Sequence, residues 1–94
     1  MKFDAIAFSN ILKTLCGYYG SMSRLADKTG VTASYICKLI KLKYKEAPSP
    51  KILRKIADNS DKLFTYLELM YICGYFTSDE YDMLSRKKQE RKKL

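Results

Sequence analysis

The stretch that decides the fold is Met22-Ser23-Arg24-Leu25-Ala26-Asp27-Lys28-Thr29-Gly30-Val31-Thr32-Ala33-Ser34-Tyr35-Ile36-Cys37-Lys38-Leu39-Ile40-Lys41. Apolar residues recur at helical spacing on both sides of Gly30, which predicts two short helices joined by a turn. Gly30 can adopt the positive φ of a tight turn, and the small Ala26 lets the two helices cross closely. The aliphatic Val31 follows the turn and the branched Ile36 anchors the second helix. The pattern therefore predicts a helix-turn-helix over residues 22–41.

Polar residues set the ends of these two helices and the exposed face of the second. Ser21 or Ser23 can cap the first helix, and Thr32 can cap the second. In the second helix, Ile36, Leu39 and Ile40 point one way. The opposite face carries small, polar and basic side chains: Ala33, Ser34, Cys37, Lys38 and Lys41.

Helices are predicted on both sides of this unit. An amphipathic pattern runs from Phe3 to Tyr19, and Gly17 and Gly20 bound its end. After a basic loop, Ser49 caps a fourth helix that begins at Pro50 and ends near Asn59.

Two further helices are predicted towards the C-terminus. A fifth, apolar nearly all round, runs from Ser60 or Asp61 to about Cys73 and stops at Gly74. Thr77 and Glu80 form a capping box that opens a sixth helix from Ser78 to about Ser85 or beyond. We expect one helix-turn-helix domain over residues 1–85 and a basic tail over residues 86–94.

The composition favours a single all-α domain. Ninety-four residues with 47% apolar side chains can form one core, and four glycines and two prolines are few for an all-β fold. No apolar run is long enough for a membrane span, and the N-terminus lacks the apolar core of a signal peptide. We therefore expect a cytoplasmic protein with no membrane association.

Catalysis and metal binding have little support in the sequence. The chain has no histidine, and its three cysteines, Cys16, Cys37 and Cys73, are widely spaced with no Cys-x-x-Cys pair. We interpret them as small buried residues in a reducing cell. No glycine-rich phosphate loop or nucleophile elbow is present. We expect neither an enzyme nor a cofactor.

Positive charge is concentrated in two blocks. The net charge is +8, to which residues 21–45 contribute +5 and residues 86–94 another +5, whereas residues 46–85 carry −3. Such a distribution suits a surface that faces phosphates.

The segment Leu25-Ala26-Asp27-Lys28-Thr29-Gly30-Val31-Thr32-Ala33-Ser34-Tyr35-Ile36-Cys37-Lys38-Leu39 resembles the core of lambda-repressor-like regulators of the Xre/Cro type. Two downstream segments are similar to the fourth and fifth helices of that five-helix domain: Pro48 to Ala57, and Leu69 to Phe76. The resemblance covers about residues 3–76. It implies a compact five-helix DNA-binding bundle, here with an additional C-terminal helix and basic tail. It also implies a transcriptional regulator, commonly a repressor, that binds double-stranded DNA as a dimer on a palindromic operator.

The resemblance also implies which residues contact DNA. The base-reading positions of the family fall on Thr32, Ala33, Ser34 and Lys38, within a recognition helix over residues 33–41. Lys38 can donate to guanine, Ser34 can pair with several bases, and Ala33 or the Thr32 methyl can touch thymine. The candidate contacts to the DNA backbone are Ser21, Ser23, Tyr35, Lys41, Lys43, Tyr44 and Lys45.

One departure from the family lies after the recognition helix. Relatives carry an acidic residue, a basic residue and a glycine there, whereas this chain has Ile40, Lys41 and Leu42. We therefore expect the third helix to extend further and to place Lys43, Tyr44 and Lys45 differently.

Several alternatives stay open at this point. Tyr35 can contact a phosphate or pack on a neighbouring helix, and the basic tail can contact DNA or remain solvated. Helices 61–74 and 78–88 are the candidate homodimer contact, because the fifth helix has more apolar surface than one small bundle needs. The competing function is an antitoxin-like helix-turn-helix protein that binds a protein partner and also regulates its own promoter.

Overall fold

The computed structural model describes the backbone of residues 3–93 and the side chains of residues 3–86. Over residues 3–93 the chain forms helices and no strand, which confirms the all-α class: α1 (Ala5–Tyr19), α2 (Met22–Thr29), α3 (Ala33–Ile40), α4 (Pro50–Asp58), α5 (Tyr66–Ile72) and α6 (Ser78–Lys93). In this part of the chain no helix is long and apolar enough to cross a membrane. The side chains of the expected basic tail beyond Arg86 lie outside the described residues.

Short polar side chains start the helices. Each accepts a hydrogen bond from the backbone N–H three residues further on and so satisfies a donor that the first turn leaves free. The residues that do so are Asp4, Ser21, Thr32, Ser49, Thr65 and Thr77. Ser21 is therefore the cap of α2, and α1 begins at Ala5 rather than at Phe3 because Asp4 is its cap.

The core lies between α1 and the helices that pack on it. Phe8, Leu12 and Leu15 of α1 are fully buried and meet apolar side chains of the other helices. Those side chains are Leu25 of α2, Ile36 and Leu39 of α3, Leu53 and Ile56 of α4, and Leu69, Met70 and Cys73 at α5. The helix α6 packs against α5.

The helix α5 is shorter than predicted. It begins at Tyr66 rather than at Ser60 or Asp61, and Thr65 and Glu68 form its capping box. The residues before it form a turn rather than a helix, because Asp61 and Lys62 adopt positive φ angles of 51° and 66°. Ser60 holds this turn: its Oγ lies within hydrogen-bond distance of the Ala57 and Phe64 carbonyls, which share its one proton, and it accepts from the Phe64 N–H. The dimer contact expected over residues 61–74 is therefore helical only over Tyr66–Ile72.

The helix α3 also ends earlier than expected. The prediction that it extends past Ile40 was wrong, because Leu42 adopts a φ of 61° and reverses the chain. The Leu42 N–H donates to the Leu39 carbonyl and the Lys43 N–H to the Lys38 carbonyl, which is the paired pattern of a Schellman motif. The end of α5 has the same pattern, with Gly74 at the left-handed position.

These two helix ends give a matched test of backbone strain. A left-handed backbone costs an L-residue about 1–2 kcal/mol, and glycine avoids this cost but is more flexible in the unfolded chain. Leu42 is half-exposed, so its side chain contributes little to the core. We expect Leu42→Gly to raise the free energy of unfolding by about 0.5–1 kcal/mol in urea titrations. Gly74→Ala is the control and should lower it by a similar or larger amount. A destabilised Leu42→Gly protein would show that the Leu42 side chain outweighs the strain.

The three cysteines are free thiols with different accessibility. Cys16 and Cys37 are half-buried, whereas Cys73 is buried against the core. Burial disfavours the charged thiolate and raises the pKa of Cys73 to about 12. Burial raises the pKa of Cys16 as well.

This difference predicts the order in which the thiols react. At pH 9 a thiol with a pKa of about 12 is almost entirely protonated, and the thiolate is the reactive form. We expect iodoacetamide at pH 9 to label Cys73 of the native protein last, at least about a hundredfold more slowly than in denaturant. Peptide mass spectrometry over time gives the three rates. Labelling of native Cys73 as fast as Cys37 would contradict its burial.

Candidate nucleic-acid interface

The solvent-facing side of α3 carries the residues predicted to read bases. Ser34 and Lys38 are exposed and lie one helical turn apart, while Ile36 and Leu39 on the opposite side are buried. Thr32 is exposed at the start of the helix and its Oγ1 accepts from the Tyr35 N–H at 3.3 Å. Ala33 is half-buried. The face of α3 that the core leaves free is thus short, polar and basic.

The turn between α2 and α3 fixes the angle at which α3 leaves α2. Gly30 has a φ of 74°, and its N–H donates to the Ala26 carbonyl. No atom would lie within 4 Å of a Cβ at Gly30, so the positive φ rather than space requires glycine there. The buried Thr29 hydroxyl donates to the Leu25 carbonyl and accepts from the Val31 N–H, which ties both sides of the turn.

A second contact holds the other end of α3. The Oγ of Ser9, buried on α1, donates to the carbonyl of Ile40 at 2.8 Å. This carbonyl belongs to the last turn of α3, whose carbonyls have no partner within the helix. The bond fixes the C-terminal end of α3 to α1.

An open depression lies between the exposed face of α3 and the first turn of α4. It brings together three predicted base-contact residues, Thr32, Ser34 and Lys38, with the tyrosines Tyr35 and Tyr44. Its remaining lining residues are Gly30, Val31 and Ile52. Ala33 and the other predicted backbone-contact residues are not part of this lining. The depression therefore combines apolar and aromatic lining residues with polar and basic ones.

The two tyrosines form a packed pair. The ring centroids of Tyr35 and Tyr44 lie 5.1 Å apart at an interplanar angle of 54°, and both side chains are half-buried. Burial raises the pKa of Tyr35, and the nearby hydroxyl of Tyr44, the thiol of Cys73 and the hydroxyl of Tyr75 raise it further. Tyr35 thus packs on a neighbouring residue and also lines the depression.

The segment after α3 carries exposed lysines. Lys41 caps the C-terminal end of α3, and Lys43 and Lys45 are exposed in the loop that leads to α4. Glu46 is the acidic residue of this loop. We call residues 43–45 the basic loop.

Ser21 and Ser23 lie at the start of α2. Both are exposed, and the Oγ of Ser21 accepts from the Arg24 N–H at 3.1 Å. The Ser21 side chain therefore caps α2, whereas the Ser23 side chain is directed to solvent.

Sequence reasoning missed two contributors to this surface. Ile52 of α4 was not among the predicted site residues, but it is half-buried and lines the depression. Tyr75 was not among the predicted site residues either, but its hydroxyl donates to the Pro48 carbonyl at 2.8 Å, in the segment before α4. The position of Ile52, two residues after Pro50 in the first turn of α4, could have indicated its exposure. No local signal indicates the Tyr75 contact, since 27 residues separate its partners.

No protein-family model, curated protein or solved structure matches this chain. In the part of the chain that the structure describes, no group of three or more histidine, cysteine, aspartate or glutamate side chains is placed to hold a metal ion. The exposed face of α3, the depression beside it and the basic loop are therefore the features from which a function is inferred.

Proposed function

We propose that this chain is a sequence-specific transcriptional regulator that binds double-stranded DNA with α3 in the major groove. We further propose that α1 to α5 form a lambda-repressor-like domain of the Xre/Cro type and that the protein acts in the cytoplasm as a binding protein without catalytic activity. The observation that carries the proposal is the exposed face of α3, where Ser34 and Lys38 stand opposite two buried anchors and beside a basic loop.

The dimensions of this face suit a major groove. An α-helix with its side chains is about 10–12 Å in diameter, and the major groove is about 12 Å wide. The turn at Gly30 and the Ser9 contact hold α3 at both ends. Binding therefore costs little conformational entropy in the backbone of α3. A rigid, outward-facing helix is what direct readout of bases requires.

The side chains on this face suggest modest base readout. Lys38 can donate to guanine O6 and N7, Ser34 can pair with several bases, and the Thr32 methyl can contact a thymine methyl. Ala33 is half-buried and contributes a smaller apolar contact. Because α3 carries no Asn, Gln or Arg, sequence preference should depend partly on DNA shape.

Phosphate contacts are assigned to the exposed groups on either side of α3. Lys41 and the basic loop lie at its C-terminal end. Ser23 and the backbone N–H groups of the first turn of α2 lie at another edge, where a helix N-terminus attracts an anion. Tyr44 can add a hydroxyl donor.

We also propose that the protein binds its operator as a homodimer. Met83 and Leu84 of α6 are exposed apolar side chains, at 60% and 36%, and α6 packs on α5. A two-fold pair formed through α5 and α6 would cover them and present two copies of α3 to a palindrome. Repression by occupancy of the protein's own promoter is the regulatory role that we propose.

Binding to DNA tests the proposal directly. We expect the purified protein to bind the DNA upstream of its own gene at least about a hundredfold more tightly than random duplex DNA, with affinity that falls steeply as salt rises. Fluorescence anisotropy over a salt series gives both quantities. Equal weak binding to both duplexes would contradict sequence-specific regulation and would favour a protein partner.

Charge reversal on α3 tests the surface. We expect Lys38→Glu combined with Lys41→Glu to lower operator affinity at least about 30-fold, because a base contact and a phosphate contact become repulsive. Lys13→Glu combined with Asn10→Glu and Thr14→Glu is the control, because it makes the same change in net charge. All three residues are exposed on α1 and lie outside the depression. An unchanged operator affinity of the α3 variant would exclude α3 as the reading helix.

A further inference from the structure

A hydrogen bond from a distant part of the chain reaches the loop between α3 and α4. The hydroxyl of Tyr75, just after α5, donates to the carbonyl of Pro48 at 2.8 Å. Among the hydrogen bonds between residues 3 and 86, this is the one that reaches residues 44–48. The other hydrogen bonds of the loop lie at its ends, in the turn at Leu42 and at the Ser49 cap. Between them, Tyr44, Ala47 and Pro48 are held by packing.

The Tyr75 contact is continuous with the exposed face of α3. Pro48 is buried, and Ala47 and Tyr44 pack against the core. The Tyr44 ring in turn packs on Tyr35 of α3. The Tyr75 bond to Pro48 and the ring contact of Tyr44 with Tyr35, joined through the backbone of residues 44–48, therefore link the end of α5 to the loop and to α3.

The basic loop needs such a restraint. Lys43 and Lys45 are exposed, and three like-charged lysines within residues 41–45 repel one another. Holding these charges at a phosphate costs conformational entropy unless the loop is already ordered. A hydrogen bond at Pro48 orders the loop before any ligand arrives.

We propose that Tyr75 is a positioning residue for polyanion binding: its hydroxyl holds Pro48 and thereby orders the basic loop against phosphates. This inference rests on the proposed function. It assigns to the end of α5 a role that is separate from dimer formation and from base reading.

Tyr75→Phe removes the hydroxyl and keeps the ring. Tyr18→Phe is the matched control, because the Tyr18 hydroxyl also donates a 2.8 Å hydrogen bond to a residue distant in sequence, Asp61. Tyr18 lies in the last turn of α1. We expect Tyr75→Phe to lower affinity for operator and random duplexes alike by about three- to tenfold and to flatten the salt slope by about 1. Tyr18→Phe should leave both quantities unchanged.

A double-mutant cycle separates positioning from a general structural effect. In a Lys43→Gln, Lys45→Gln background the loop has lost the charges that Tyr75 positions, so Tyr75→Phe should there change affinity less than twofold. The same three- to tenfold loss in both backgrounds would overturn the proposal, because Tyr75 would then act through the fold or the dimer. No loss in the unaltered background would overturn it as well.

A measurement without DNA distinguishes failure of this inference from failure of the proposed function. We expect the ¹H–¹⁵N heteronuclear NOE of residues 44–47 to fall in Tyr75→Phe and to stay unchanged in Tyr18→Phe, since the loop gains motion on the ps–ns timescale. Unchanged NOE values in Tyr75→Phe would overturn the positioning role whether or not the protein binds DNA. Absence of duplex binding by the unaltered protein, together with a lowered NOE, would instead contradict the proposed function alone.

Discussion

The packing of α3 on α1 fixes the orientation of α3, and the rest of the proposed surface depends on that orientation. Ile36 and Leu39 are buried, and each such side chain contributes about 1.5–3 kcal/mol relative to exposure. The Ser9 hydroxyl adds a bond to the Ile40 carbonyl worth about 1 kcal/mol and fixes the rotation of the helix. Because the helical register is fixed in this way, Ser34 and Lys38 face solvent. The same contact sets the point at which the basic loop leaves α3.

Local patterns predicted the parts of the fold that local interactions determine. The turn at Gly30, the caps at Thr32 and Ser49 and the box at Thr77 are set by residues within four positions of one another, and each is found where the sequence indicated it. Apart from the start of α1, the differences at helix ends fall at the end of α3 and at the start of α5, where non-glycine residues adopt positive φ. Leucine, aspartate and lysine rarely adopt a positive φ, so the sequence at these positions predicts that the helix continues. The bonds of Ser60 and the Tyr18 bond to Asp61 instead stabilise the turn before α5.

The candidate site also has a part that the local sequence predicts and a part that depends on how the helices pack. The residue types on α3 could be assigned from helical periodicity, because exposure follows from the position of Ile36 and Leu39. The depression could not, since Ile52 comes from α4 and the Tyr44 ring reaches it from a loop. The contact from Tyr75 to Pro48 depends on how α5 packs on α4, which no local pattern specifies. The chemistry of the surface was therefore predictable and its shape was not.

The central claim is that DNA meets the exposed face of α3 and the basic loop. Amide chemical-shift changes during titration with the upstream duplex test it most directly, because they locate the bound surface residue by residue. We expect the largest changes on residues 32–45 and on the first turn of α2, with small changes on the solvent face of α1. Changes confined to α5 and α6, with residues 32–45 unaffected, would contradict it.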